Sequence, residues 1–74
     1  MKLIAVKPKN IQKGEKYLLY DGFEIEKVTI LGIRQDKNDT HYIIKVKITS
    51  GGLAPGENIK IWYLEPDEVV FYKA

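Results

Sequence analysis

The chain has no cysteine, one histidine (His41) and one serine (Ser50) in 74 residues. Without cysteine there are no disulfides, thiolate zinc sites or cysteine nucleophiles. Small secreted domains commonly rely on disulfides, so their absence points to a reducing, cytoplasmic setting. Long apolar runs are also missing, and nothing approaches a membrane span. The start, Met1-Lys2-Leu3-Ile4-Ala5-Val6, resembles the opening of a signal peptide. Its apolar stretch stops at Lys7-Pro8-Lys9, short of the 7–15 residues an export signal needs.

Catalytic chemistry has little to work with. Ser50 and His41 can be grouped with Asp36 or Asp39 on paper, but no strained elbow or oxyanion hole accompanies them. Glu24 and Glu26 point the same way on an extended segment. Paired carboxylates do acid–base work only in a cleft that shifts one pKa. Residues 36–41, Asp-Lys-Asn-Asp-Thr-His, resemble the start of a calcium loop but lack its glycine and its closing glutamate. They read as a hairpin tip. Gly51-Gly52-Leu53-Ala54-Pro55-Gly56 leads into a strand rather than a helix N-terminus, so it reads as a turn and not a phosphate cradle. No enzyme activity, metal or cofactor is expected.

What is present is alternation. In residues 41–48, Tyr42, Ile44, Val46 and Ile48 share one phase, and His41, Ile43, Lys45 and Lys47 the other. That is the signature of a half-buried strand. Residues 59–64 form a second strand, joined to the first across the turn-rich stretch 49–58. Centring that loop sets Val46 opposite Ile61 and Lys45 opposite Trp62. Residues 27–34 form a third strand, with a polar tip at 35–40, and Gly32 inside it marks a bend or bulge. Residues 16–20 make a short strand ending in an Asp21-Gly22 turn. Phe23 and Ile25 alternate in one phase and Val28 and Ile30 in the other, so a bulge is expected near Glu26-Lys27. Residues 2–7 and 69–72 complete the strands, and residues 65–68 are expected to make a single helical turn. No stretch supports an ordinary α-helix.

Strands this short at this spacing predict an all-β fold. A small closed barrel of five or six antiparallel strands, formed as one domain over residues 1–74, best removes exposed edges. The layout also resembles the SH3-like small barrels, including Tudor and KOW-type modules. The resemblance runs over residues 13–72. It starts at Lys13-Gly14-Glu15-Lys16-Tyr17, passes through the acidic, aromatic Tyr20-Asp21-Gly22-Phe23-Glu24 and ends at Leu64-Glu65-Pro66-Asp67-Glu68-Val69. It implies a fold and no particular function, because this fold hosts many.

The net charge of +2 says little. Its distribution is uneven, with lysines concentrated in residues 1–20 and carboxylates in 57–68. If Ile59, Ile61 and Tyr63 face the core, the opposite face carries His41, Ile43, Lys45, Lys47, Lys60, Trp62 and Leu64. A tryptophan among lysines is a natural hot spot for binding, unless the N-terminal strand or a terminus covers Trp62 and makes it structural. The sequence therefore predicts a non-enzymatic binding module that engages a protein partner or itself through Trp62, Lys45, Lys47, Lys60 and His41. A short chain of this kind suits an accessory or regulatory factor of a phage or mobile element. One alternative is a weak nucleic-acid-binding module, with the lysines on phosphates and Trp62 on a base. Another is a small-ligand-binding protein.

Overall fold

A computed structural model describes residues 2–49 and 58–73. Of the turn-rich stretch 49–58 expected to join two strands, residues 50–57 lie outside the described residues, Ser50 among them.

Each alternating segment forms a strand. In chain order these are β1 (Ile4–Val6), β2 (Lys16–Tyr20), β3 (Ile25–Gln35), β4 (Tyr42–Ile48), β5 (Ile59–Leu64) and β6 (Phe71–Lys73). All pairings are antiparallel, and the six strands form one sheet in the order β1-β6-β2-β3-β4-β5. The chain is thus all-β. The sheet does not close into a barrel: among the described residues, β1 pairs only with β6 and β5 only with β4, which leaves both as edges. β1 is three residues long because Pro8, which lacks an N–H, ends it and starts a 3-10 turn at Pro8–Asn10. No helix among the described residues is long and apolar enough to cross a membrane.

The core lies on the inner side of this curved sheet. Ile11, Tyr17, Leu19, Val28, Ile30, Ile44, Val46, Ile48, Leu64 and Phe71 are all buried. All but Ile11, which follows the 3-10 turn, are the in-phase residues of successive strands, so period-two alternation converts directly into one apolar face. Phe71 is fully enclosed and meets Tyr17 edge-to-face, with ring centroids 6.2 Å apart and an interplanar angle of 73°. This geometry suits the ring quadrupoles.

Two glycines hold the chain where other residues would strain. Gly14 sits at φ +88°, which lets its N–H donate to the Ile30 carbonyl at 2.8 Å. The Ile30 N–H returns the interaction, donating to the Glu15 carbonyl at 3.0 Å. Gly22, at φ +103°, turns the chain between β2 and β3. The bend expected at Gly32 is real: the β3–β4 register shifts by one residue between Ile30 and Gly32.

Two local expectations need correcting. No bulge occurs at Glu26-Lys27, because Leu18 faces Lys27 and Leu19 faces Glu26 in unbroken register. The change of phase arises because Ile25 and Phe23 are exposed and do not belong to the core at all. Residues 65–68 form a turn instead of a helical turn. The Glu68 N–H donates to the Glu65 carbonyl at 3.0 Å, and the Glu68 side chain accepts from the Glu65 N–H at 3.2 Å. The four-residue segment closes on itself and does not propagate.

Candidate binding face

Which side chains meet on the surface depends on how β5 is registered against β4. Val46 pairs with Lys60, Lys45 with Ile61 and Ile44 with Trp62. This is one residue from the pairing that a centred loop predicts. A shift of one residue carries every β5 side chain to the other face. The expected face of Lys45, Lys47, Lys60, Trp62 and Leu64 is therefore divided between the two sides of the sheet.

Leu64 is buried, and Trp62 is half-buried and packed against the core. Trp62 shares the inner side with Ile44 and Ile33, which pair across β4 and β3. Its indole Nε1 is enclosed and has no hydrogen-bond partner among the described residues. An enclosed donor of this kind offsets part of what ring burial contributes. Lys60 reaches around the same side, and its Nζ lies 3.9 Å from Glu26 Oε1. Glu26 is the one carboxylate located in a described strand, and its side chain is 12% exposed.

His41 stands at the tip of the β3–β4 hairpin, away from the strands' paired surface. Its N–H donates to Asp39 Oδ1 at 3.0 Å, and its Nδ1 lies 3.4 Å from the same oxygen without forming a hydrogen bond. Asp36 Oδ1 accepts from the Asn38 N–H at 2.8 Å, and Thr40 takes φ +64°. The tip's carboxylates thus fold the tip. Among the described residues, no three potential metal ligands converge.

The outer face is where Lys45 and Lys47 remain. Across β3, β4 and β5 the register aligns Arg34, Ile43 and Tyr63 in one row and Gly32, Lys45 and Ile61 in the next. Thr29, Lys47 and Ile59 make the third. Ile59, Ile61 and Tyr63 are 47%, 58% and 66% exposed, on a strand that is itself an edge. No carboxylate lies on the outer face of the described strands, although the chain has ten. The cations Lys16 and Lys27 continue the same side onto β2 and β3. Between the rows lies an open groove of about 380 Å³, lined by Gly32, Ile33, Arg34, Ile43, Lys45 and Ile61. A second open groove, of about 630 Å³, lies farther along the sheet and includes Lys16, Leu18, Lys27, Tyr72 and Lys73. There Lys73 Nζ sits 5.2 Å from the centre of the Tyr17 ring.

Sequence reasoning missed Ile59, Ile61 and Tyr63 as surface residues because β5 is apolar in both phases. Lys60, which shares its phase with Trp62 and Leu64, points the wrong way, because its charge meets Glu26 on the inner side, a contact that only the fold creates. Phe23, 94% exposed, was also missed as a surface feature. Compared with known protein families, curated proteins and solved structures, the chain significantly matches none.

Proposed function

We propose that this chain is a non-enzymatic binding module with the layout of an SH3-like small barrel, and that it binds protein through the outer face of β3, β4 and β5. The layout is supported by the strand order. β2 to β5 form a meander, and β6 returns to lie beside β2. The binding reading is carried by one observation. An edge strand exposes Ile59, Ile61 and Tyr63 next to Ile43, with Arg34, Lys45 and Lys47 among them and no carboxylate among the described strand residues of that face. Contiguous exposed apolar side chains bounded by charge mark interaction surfaces, and an edge strand adds unpaired backbone groups.

A second reading, nucleic-acid binding, is favoured by the five cations Lys16, Lys27, Arg34, Lys45 and Lys47 on the face where the described strands carry no carboxylate. Three of the four apolar residues, Ile43, Ile59 and Ile61, are aliphatic and only Tyr63 offers a ring, which weighs toward protein, since bases stack on aromatic rings.

The test is a comparative capture from source lysate with wild-type and Ile61→Glu baits, before and after nuclease treatment. A protein retained by the wild type, lost with Ile61→Glu and insensitive to nuclease supports the reading. Bound material that nuclease removes, with affinity falling steeply as salt rises, replaces it with the second.

A further inference from the structure

We propose that the chain associates head to tail with a second copy of itself, the Phe23 loop of one copy seated in the outer groove of the next. The proposal rests on the reading of that groove as a protein-binding site.

The loop between β2 and β3 is built as a projecting knob. Phe23 is 94% exposed at its tip, flanked by Tyr20 at 43% and Ile25 at 55%. The Phe23 N–H donates to Asp21 Oδ1 at 3.1 Å, and Gly22 supplies the turn at φ +103°. The ring is thus held out by a formed turn. Leaving a phenylalanine in water forgoes the stabilisation that burying its ring would bring. Residues 20–25 include two carboxylates, Asp21 and Glu24, and no cation.

The groove has the opposite character. Ile43 and Ile61 give it an apolar lining, and Arg34 and Lys45 bring two cations and no carboxylate. Gly32 leaves room, since a Cβ there would meet no atom within 4 Å. Its volume of about 380 Å³ falls at the small end of the range for sites that enclose a side chain or small ligand. An acidic, aromatic knob and a basic, aliphatic groove on one chain are complementary in charge and in apolar content.

Position makes the contact intermolecular. Knob and groove are joined by β3, from Ile25 to Gly32, seven residues at about 3.3 Å each. That is roughly 23 Å of rigid paired strand. A knob at one end of β3 does not reach the groove farther along it. Because the two surfaces differ, the contact is heterologous, and repetition builds open chains or closed rings.

Sedimentation velocity over a concentration series tests this. Wild-type protein is expected to grow in mass with concentration, and added salt is expected to reverse the growth. Phe23→Ser removes the knob, and Ile61→Glu spoils the groove. Lys45→Glu is a second groove variant should Ile61→Glu unfold, as checked by circular dichroism. Each variant alone is expected to be a monomer. An equimolar mixture of Phe23→Ser with a groove variant is expected to give a dimer that grows no further, since it joins one intact knob to one intact groove. A wild type that stays monomeric to millimolar concentration overturns the proposal. So do oligomers that persist in Phe23→Ser, or a mixture that stays monomeric. If the wild type is monomeric yet its lysate partner is lost with Ile61→Glu, only self-association fails. If that partner is retained, the reading of the face fails as well.

Discussion

Ile61 on the edge strand stands directly opposite Lys45 on β4, and both turn away from the core. The pairing sets an aliphatic side chain beside a lysine whose charge no carboxylate of the described strands offsets on that face. It also fixes the destination of every other β5 side chain. Ile59 and Tyr63 follow Ile61 outward, and Trp62 and Leu64 go to the core.

Trp62 is therefore expected to serve the fold and not the binding face. Trp62→Ala should lower stability by about 2–3 kcal/mol, less than the 3–5 kcal/mol of a fully buried tryptophan. Trp62→Phe, which keeps a ring and removes the unpartnered indole N–H, should lose under about 1.5 kcal/mol. Urea denaturation followed by far-ultraviolet circular dichroism measures both. Equal stability of wild type and Trp62→Ala would contradict the packing described.

Phe71 is the residue the domain can least lose. It is fully buried in β6, against Tyr17. Phe71→Ala should cost about 3–5 kcal/mol. A domain of this size has a total stability of about 4–11 kcal/mol, so the variant should be largely unfolded on mild heating. Phe71→Leu should remain folded with a lower Tm. Thermal melts of the two variants check the order.

Gly14 and Gly32 should respond in opposite ways to the same substitution. Both have open space around a new Cβ, but only Gly14 has a positive φ. Gly14→Ala should lose about 1–2 kcal/mol through backbone strain. Gly32→Ala should be neutral or gain about 0.5 kcal/mol, because an alanine loses less conformational entropy on folding. A Gly32→Ala variant that melts well below wild type would mean that the β3 bulge requires glycine.

The Lys60–Glu26 pair should contribute little. Its atoms are 3.9 Å apart, and the lysine side chain is 47% exposed. Lys60→Met, which keeps an aliphatic stem and removes the charge, should change stability by less than about 1 kcal/mol. Denaturation midpoints at low and high salt measure this, with the difference between the proteins shrinking at high salt.

Much of this fold is legible in the residues. The β4 alternation assigns Ile44, Val46 and Ile48 to the core correctly, because lysines occupy two of the intervening positions. Gly32 announces the irregularity in β3, since a strand interior otherwise disfavours glycine. β5 is different. Ile59, Ile61 and Tyr63 compete with Trp62 and Leu64 for the inside, and only Lys60 separates the two phases. The candidate site inherited that ambiguity. Lys45 and Lys47 are where the alternation puts them. Lys60 and Trp62 are on the other side of the sheet, and His41 is engaged with Asp39 at the hairpin tip.

The amino-acid sequence alone determined an all-β chain of short strands, poor in catalytic groups. Alternation, turn residues and composition are local properties, and a linear pattern carries them. Only the tertiary structure decided the two properties on which binding depends. One is the sheet's open course, which leaves β5 as an edge. The other is the register of β5 on β4. Side chains alternate with a period of two, so a displacement of one residue exchanges the buried and exposed sets. Local pattern does not choose between them when both sets are apolar. The core does, by accepting Trp62 and Leu64 and leaving Ile59, Ile61 and Tyr63 beside the lysines.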